Sequence, residues 1–235
     1  MKMDNEIVSL QFISTTREQA LLENDLFPLI NFEHQINYND QQLILVNQDS
    51  GFRQVLAILR GDLIIDSGSI KVEGNELSHL SVAERSKMLH DVIGFIDFEN
   101  RLIPYLTMLE NLYAGFWNLP SNLHNYRTHI QALLNWFHLD AVQHCFPKEC
   151  SPQQRSDLLL LRAFVHQPKL VAAYLPLDVS ILSIRQLIQL AKTTQTSLLV
   201  FMQMDSMNER QSLITNHMLR GIIMSKGVYS HEFVD

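Results

Sequence analysis

The sequence predicts a parallel α/β fold. Short apolar runs alternate along the chain with stretches of helix-forming residues, as in repeated strand–helix–strand units. Those runs are continuous rather than alternating, the pattern of strands buried on both faces. Polar turns follow several of the runs, at the strand ends where α/β proteins place ligands.

The elements follow in order. Leu43-Ile44-Leu45-Val46 reads as a buried strand entering the turn Asn47-Gln48-Asp49-Ser50-Gly51. Val55 to Leu59 is helix-forming and stops at Gly61, and Ser69 to Glu73 forms the next strand, closed by Gly74-Asn75. Ser81, with Glu84 three residues later, has the pattern of a capping box and opens a helix to about His90. Val92 to Ile96 is a further strand, and Leu106 to Trp136 reads as mostly helical with a break near Pro120-Ser121. Ser151-Pro152 looks like an N-cap followed by proline at the first helical position, leading into Ser156 to His166. Leu170 to Tyr174 and Leu198 to Met202 are two more buried strands, separated by a helix from about Ser183 to Thr193.

Composition narrows the function classes. The 235 residues are 46% hydrophobic and 18% charged, ordinary for a globular chain. A formal net charge of −7 argues against general nucleic-acid binding, which needs a basic surface. No run approaches the roughly 20 apolar residues of a membrane-spanning helix, and the polar start Met1-Lys2-Met3-Asp4-Asn5-Glu6 shows no secretory signal. These features predict a cytoplasmic protein with no direct membrane insertion. Cys145 and Cys150 read as reduced thiols in preference to a disulfide or metal pair, and the ten histidines form no metal-binding pattern.

The connecting residues carry a more specific signal. Val46 to Gly68 can be laid without a gap on a phosphate loop, its helix and a Ser-Gly turn, with Ser50-Gly51, Leu56, Gly61 and Ser67-Gly68 in matching places. Ile93-Gly94-Phe95-Ile96, Leu102-Ile103-Pro104 and Thr107-Met108-Leu109-Glu110-Asn111-Leu112 resemble an "IGFVFQ…LLP…TVLENV" stretch. Glu149 to Gln154, then Leu161 to Leu170, resemble "ELSGGQ…ARALVHRPKLL". Over about residues 40 to 205 the chain thus resembles the ATPase subunits of ABC transporters, a P-loop NTPase family. Within that family it is most similar to the lipoprotein-release, MacB-like, FtsE-like and Mla-type phospholipid-transport ATPases. The resemblance implies a parallel β-core with flanking helices, an antiparallel β edge and a helical subdomain at about residues 100–165. All of these would lie in one domain spanning 1–235.

Laid on the family's motifs, the functional positions are altered. The glycines of the phosphate loop fall on Val46, Asp49 and Gly51, its lysine on Phe52 and its Mg²⁺-binding hydroxyl on Arg53. A one-residue shift would put Arg53 on the lysine position, where a guanidinium is not equivalent. The Q-loop glutamine falls on Phe98. In the signature turn Ser151 and Gln154 remain, while Pro152 removes an N–H and Gln153 adds bulk. A helix N-cap for Ser151 and a first-turn position for Gln154 account better for the two residues than a retained signature does. The Asp-Glu pair of the Walker B segment falls on Tyr174 and Leu175, and the switch histidine on Met202 or Gln203. Asp178 reads as a turn residue, and Phe12 is a weak candidate for adenine stacking.

Without metal ligand or general base at those positions, the resemblance leads to an expected pseudo-ATPase: no enzyme, and no ATP or Mg²⁺ as cofactor. Its expected role is a structural or regulatory subunit on an inner-membrane permease, possessing docking candidates Phe98, Leu102, Pro104 and Tyr105. The same residues could instead only maintain the helical subdomain. A homodimer or an active ATPase paralogue is a further partner the family suggests. The alternatives are a soluble scaffold that reuses the fold, and a weak or altered nucleotide hydrolase using Arg53, Asp178 or Gln203.

Overall fold

The computed structural model describes residues 6–25, 27–46, 50–96, 102–115, 124–176, 179–203, 220–225 and 228–230. In chain order the elements are β1 (Glu6–Ser14), α1 (Arg17–Leu22), β2 (Phe32–Asn37), β3 (Gln41–Val46), α2 (Phe52–Arg60), β4 (Ser67–Val72) and β5 (Asn75–Glu76). They continue with α3 (Val82–Val92), β6 (Ile93–Ile96), α4 (Met108–Tyr113), α5 (His124–Trp136) and α6 (Pro152–Arg162). The last elements are β7 (Leu170–Leu175), α7 (Ile181–Thr193), β8 (Ser197–Gln203), β9 (Arg220–Ser225) and β10 (Val228–Ser230).

The strands form two sheets. A four-stranded antiparallel sheet has the order β2-β1-β4-β5, and a six-stranded sheet has the order β10-β9-β3-β8-β7-β6. Within the larger sheet β3, β6, β7, β8 and β9 run parallel, and only β10 reverses direction. The expected α/β fold with a parallel core and an antiparallel edge is therefore what the chain adopts.

Side-chain alternation explains why the central strands carry continuous apolar runs. Leu43 and Leu45 of β3 join one core, with Val171, Ala173 and Leu175 of β7 and Leu198, Val200 and Met202 of β8. That face is covered by residues of α4 to α7, including Leu112, Leu134, Leu160 and Leu187. Ile44 and Val46 point the other way, with Leu170 and Ala172 of β7 and Leu199 and Phe201 of β8. Here the cover is α2 and the antiparallel sheet, through Val55, Ile58, Ile7, Leu10 and Ile36. Both faces of the parallel sheet are buried, so the middle positions of β3, β7 and β8 are apolar, while Gln42 and Ser197 near the strand starts are buried polar residues. Helix α2 is sandwiched between the two sheets, and all but its two arginines are buried.

The helices start where the sequence signals. Ser81 and Glu84 form the capping box of α3, and Ser151 with Gln154 does the same for α6, with Pro152 at the first position. Thr107 and Glu110 cap α4 in the same way. Gly94 of β6 is fixed by packing rather than by turn geometry. A Cβ there would lie 2.1 Å from the carbonyl oxygen of Ala163, just past the end of α6.

Candidate functional site at the amino end of α2

The parallel strands β3, β6, β7 and β8 end on one edge of the sheet, and the turn from β3 into α2 lies on that edge. Gly51 is the N-cap of α2 and adopts the left-handed conformation (φ 77°, ψ 10°). A left-handed residue followed by right-handed helical ones turns successive backbone N–H groups inward, a concavity suited to anions. The first amides of α2 have no partner within the helix, and the helix dipole adds to their positive character.

The side chains around this turn are largely aromatic. Phe52, the first helical residue, is 2% exposed. Its ring stacks on Tyr174 with centroids 4.6 Å apart and meets Phe201 at 5.7 Å. The alternation of β7 and β8 accounts for this, since Tyr174 and Phe201 pair in register and face α2. Leu175 points to the opposite core and is fully buried, and Val46 is buried at the last position of β3. Gln203 is the last residue of β8. Asp49, Phe98 and Asp178 lie outside the described residues, as does the side chain of Gln203.

Arg53 lies beside Phe52 and reaches toward Asp25. Its guanidinium carbon sits 4.7 Å from the centre of the Phe52 ring, and Nη1 lies 3.6 Å from Oδ1 of Asp25. Asp25 is a feature that reading the sequence missed. It comes from the segment between α1 and β2, is 1% exposed, and accepts through Oδ2 from the backbone N–H of Gln54 (3.1 Å) and from Gln54 Nε2 (3.2 Å). Gln54 Nε2 also donates to the carbonyl of Phe27 (2.9 Å), and Thr15 Oγ1 donates to Gln54 Oε1. Burial raises the Asp25 carboxyl above its usual range, opposed by the Gln54 donors and then by Arg53. No sequence pattern flags Asp25, because its partners are 28 and 29 residues away.

The other positions fall elsewhere in the fold. Ser151 Oγ accepts from the backbone N–H of Gln154, and Gln154 Oε1 accepts from that of Ser151. Gln153 Nε2 donates to Asp157 Oδ1 (2.8 Å), and Ser183 Oγ donates to the same oxygen (2.6 Å), tying the start of α6 to the start of α7. Burial raises the Asp157 carboxyl, opposed by those two donors. Phe12 is 62% exposed, with a positive φ of 53° at an irregularity of β1.

Of the docking candidates, Pro104 is exposed, Tyr105 is 76% exposed and Leu102 packs partly against the core. Phe95, on β6, is half-buried. The segment 102–107 is held by Asn111, a fully buried side chain within α4. Asn111 Oδ1 accepts from the N–H of Ile103 (2.7 Å), and Nδ2 donates to the carbonyls of Ile103, Leu106 and Thr107 (3.0–3.1 Å). That network presents Pro104 and Tyr105 outward.

The sequence profile of the ABC transporter family matches residues 34–173, which include the β3–α2 turn, α4, α6 and most of β7. The chain belongs to the ABC transporter family. It is 28% identical over 171 residues to the lipoprotein-releasing system ATP-binding protein of Buchnera aphidicola, covering 73% of this chain and 74% of that one. A Staphylococcus haemolyticus protein named for ATP binding in hemin import is also 28% identical, over 71% of this chain and 74% of its own. In a longer Mycoplasma genitalium ABC transporter ATP-binding protein the match spans 36% of the length. The fold is that of an ATP-binding cassette solved as a post-hydrolysis dimer with ADP and Pi, with TM-score 0.74, 21% identity and coverage of 97% and 99% of the two chains.

These findings correct two expectations. A non-enzyme with neither ATP nor Mg²⁺ does not agree with membership of this family, whose matching relatives are ATP-binding proteins. The substitutions at Phe52, Arg53, Tyr174 and Leu175 describe how the site is built. They do not establish that it is inactive.

Proposed function

We propose that this chain is the ATP-binding subunit of a membrane transporter, taking the phosphates of ATP at the amino end of α2 and seating on a permease. The observation that carries this reading is the left-handed Gly51 at the β3–α2 turn, inside the stretch that matches the family profile. A phosphate fits that backbone, because its oxygens can accept from the first-turn amides that the helix itself leaves unbonded. The side chains fit less well: Phe52, Tyr174 and Leu175 offer Mg²⁺ no ligand, and the neighbouring acids in sequence are Asp49 and Asp178. When bound, MgATP supplies the free energy of phosphoryl cleavage. The chain's own residues hold the phosphates by backbone, and the exposed ring of Phe12 offers a stacking surface for a base.

The permease contact is assigned to Leu102, Pro104 and Tyr105, with Phe98 adjacent in sequence. Asn111 supports the assignment by fixing a loop whose apolar tip faces solvent. In this reading the protein is a single domain with its helical subdomain at about residues 100–165, and works as a dimer on the cytoplasmic side of the inner membrane. The transported molecule is a lipid or lipoprotein, by analogy with the Buchnera aphidicola relative. Calorimetric titration of the purified protein with MgATP, paired with a phosphate-release assay, tests the reading. Saturable binding is expected, and a folded protein that fails to bind at millimolar MgATP would contradict it.

A further inference from the structure

We infer that Asp25 is a built-in carboxylate competitor for phosphate at the amino end of α2, holding Arg53 away from an incoming nucleotide until it is displaced. This rests on the ATP-binding reading and adds a control on the same site. Asp25 occupies one of the first-turn amides of α2, that of Gln54, from the segment preceding β2. Its second oxygen, Oδ1, is buried without a hydrogen bond among the described residues and has only Arg53, at 3.6 Å. A buried carboxylate at a helix amino terminus occupies the electrostatic position an external phosphate would seek. Two anions there repel, so one must yield.

The charge of Asp25 is not needed to fasten the 15–29 segment to α2. Neutral bonds already do so, from Thr15 to Gln54, from Gln54 to the Phe27 carbonyl, and from the Leu29 N–H to Thr15 Oγ1 (2.8 Å). What the carboxylate adds is its hold on the guanidinium. Arg53 is the second residue of α2 and its side chain is 36% exposed, so rotation about its own bonds carries it from Asp25 into solvent at the helix end. A freed guanidinium there can meet phosphate oxygens with paired donors.

The test is calorimetric binding of MgATP and of tripolyphosphate to the full chain. It compares wild type with Asp25→Asn, Asp25→Ser and the double variant Asp25→Asn/Arg53→Met, with thermal melts to confirm folding. Asp25→Asn keeps an oxygen for the Gln54 amide and Asp25→Ser removes the charge with a shorter side chain, so either one that folds suffices. Binding should tighten by roughly tenfold or more when the charge is removed, the scale of one charge-assisted contact. The double variant should lose that gain. Equal affinity in wild type and a folded Asp25 variant overturns the inference and leaves the ATP-binding reading standing. Absence of binding in every folded form removes both.

Discussion

Phe52 follows Gly51 directly, and its ring is enclosed by Tyr174 and Phe201. It therefore fastens α2 to the end of the parallel sheet by apolar burial and ring stacking. Truncating it leaves a cavity between α2 and two strands whose backbones are fixed by the ladder. Phe52→Ala is expected to lower stability by about 3–5 kcal/mol, read from urea unfolding midpoints. The sequence shows the aromatic at this position and places it after a turn glycine. It does not show that Tyr174 and Phe201, more than a hundred residues later, would receive the ring. Asp25 is less legible still, since a lone acid in a segment without pattern gives no hint of its burial.

Among the elements, α4 illustrates how a short helix positions a surface. Thr107 and Glu110 fix its start, and Asn111 reaches back to satisfy one N–H and three carbonyls of the preceding loop. Removing the amide takes a partner from the Ile103 N–H and the Leu106 carbonyl, while the carbonyls of Ile103 and Thr107 keep the backbone N–H groups of Leu106 and Asn111. A group left unpaired costs about 1–3 kcal/mol, partly relieved by water at this half-buried loop. Asn111→Ala is expected to lower stability by about 2–3 kcal/mol and to increase hydrogen exchange in residues 102–107 more than in β3, β7 or β8. The helices of α3 and α6 were legible from their caps, because Ser81 with Glu84 and Ser151-Pro152 are local signals. The central strands were legible from continuous apolar runs. Strands β1 and β2 carry weaker patterns, since β1 is irregular between Gln11 and Ser14 and alternation fails there. The family expectation of an antiparallel edge, more than any local signal, anticipated them.

For the whole molecule, the two cores on either side of the parallel sheet set its response to pH. His166 is desolvated, which lowers its pKa below 6.5, and Nε2 has no hydrogen-bond partner among the described residues. His90 is lowered by burial as well. Above pH 6.5 both folded and unfolded forms of such a histidine are neutral, and it contributes nothing to pH dependence. As pH falls below 6.5 the unfolded chain takes up the proton first, so stability declines toward the folded pKa. The urea midpoint should fall between pH 7 and 5.5, and His166→Gln should reduce that fall. Asp25 and Asp157 act with the opposite sign at lower pH: their raised folded pKa values let the native state bind protons first, recovering stability as pH falls toward the unfolded value of 3.8.

The same scale joins nucleotide turn and docking loop into one proposed function, in which residues near Gly51 bind ATP and the loop ending at Thr107 meets a permease. Both lie within the family match. The most direct measurement is affinity purification of the tagged chain from mildly solubilised membranes, with and without Tyr105→Glu. A membrane permease recovered in stoichiometric amount with the unaltered chain, and depleted with Tyr105→Glu, is the predicted result. Recovery of the chain alone, with no membrane protein in either case, would contradict the transporter-subunit account.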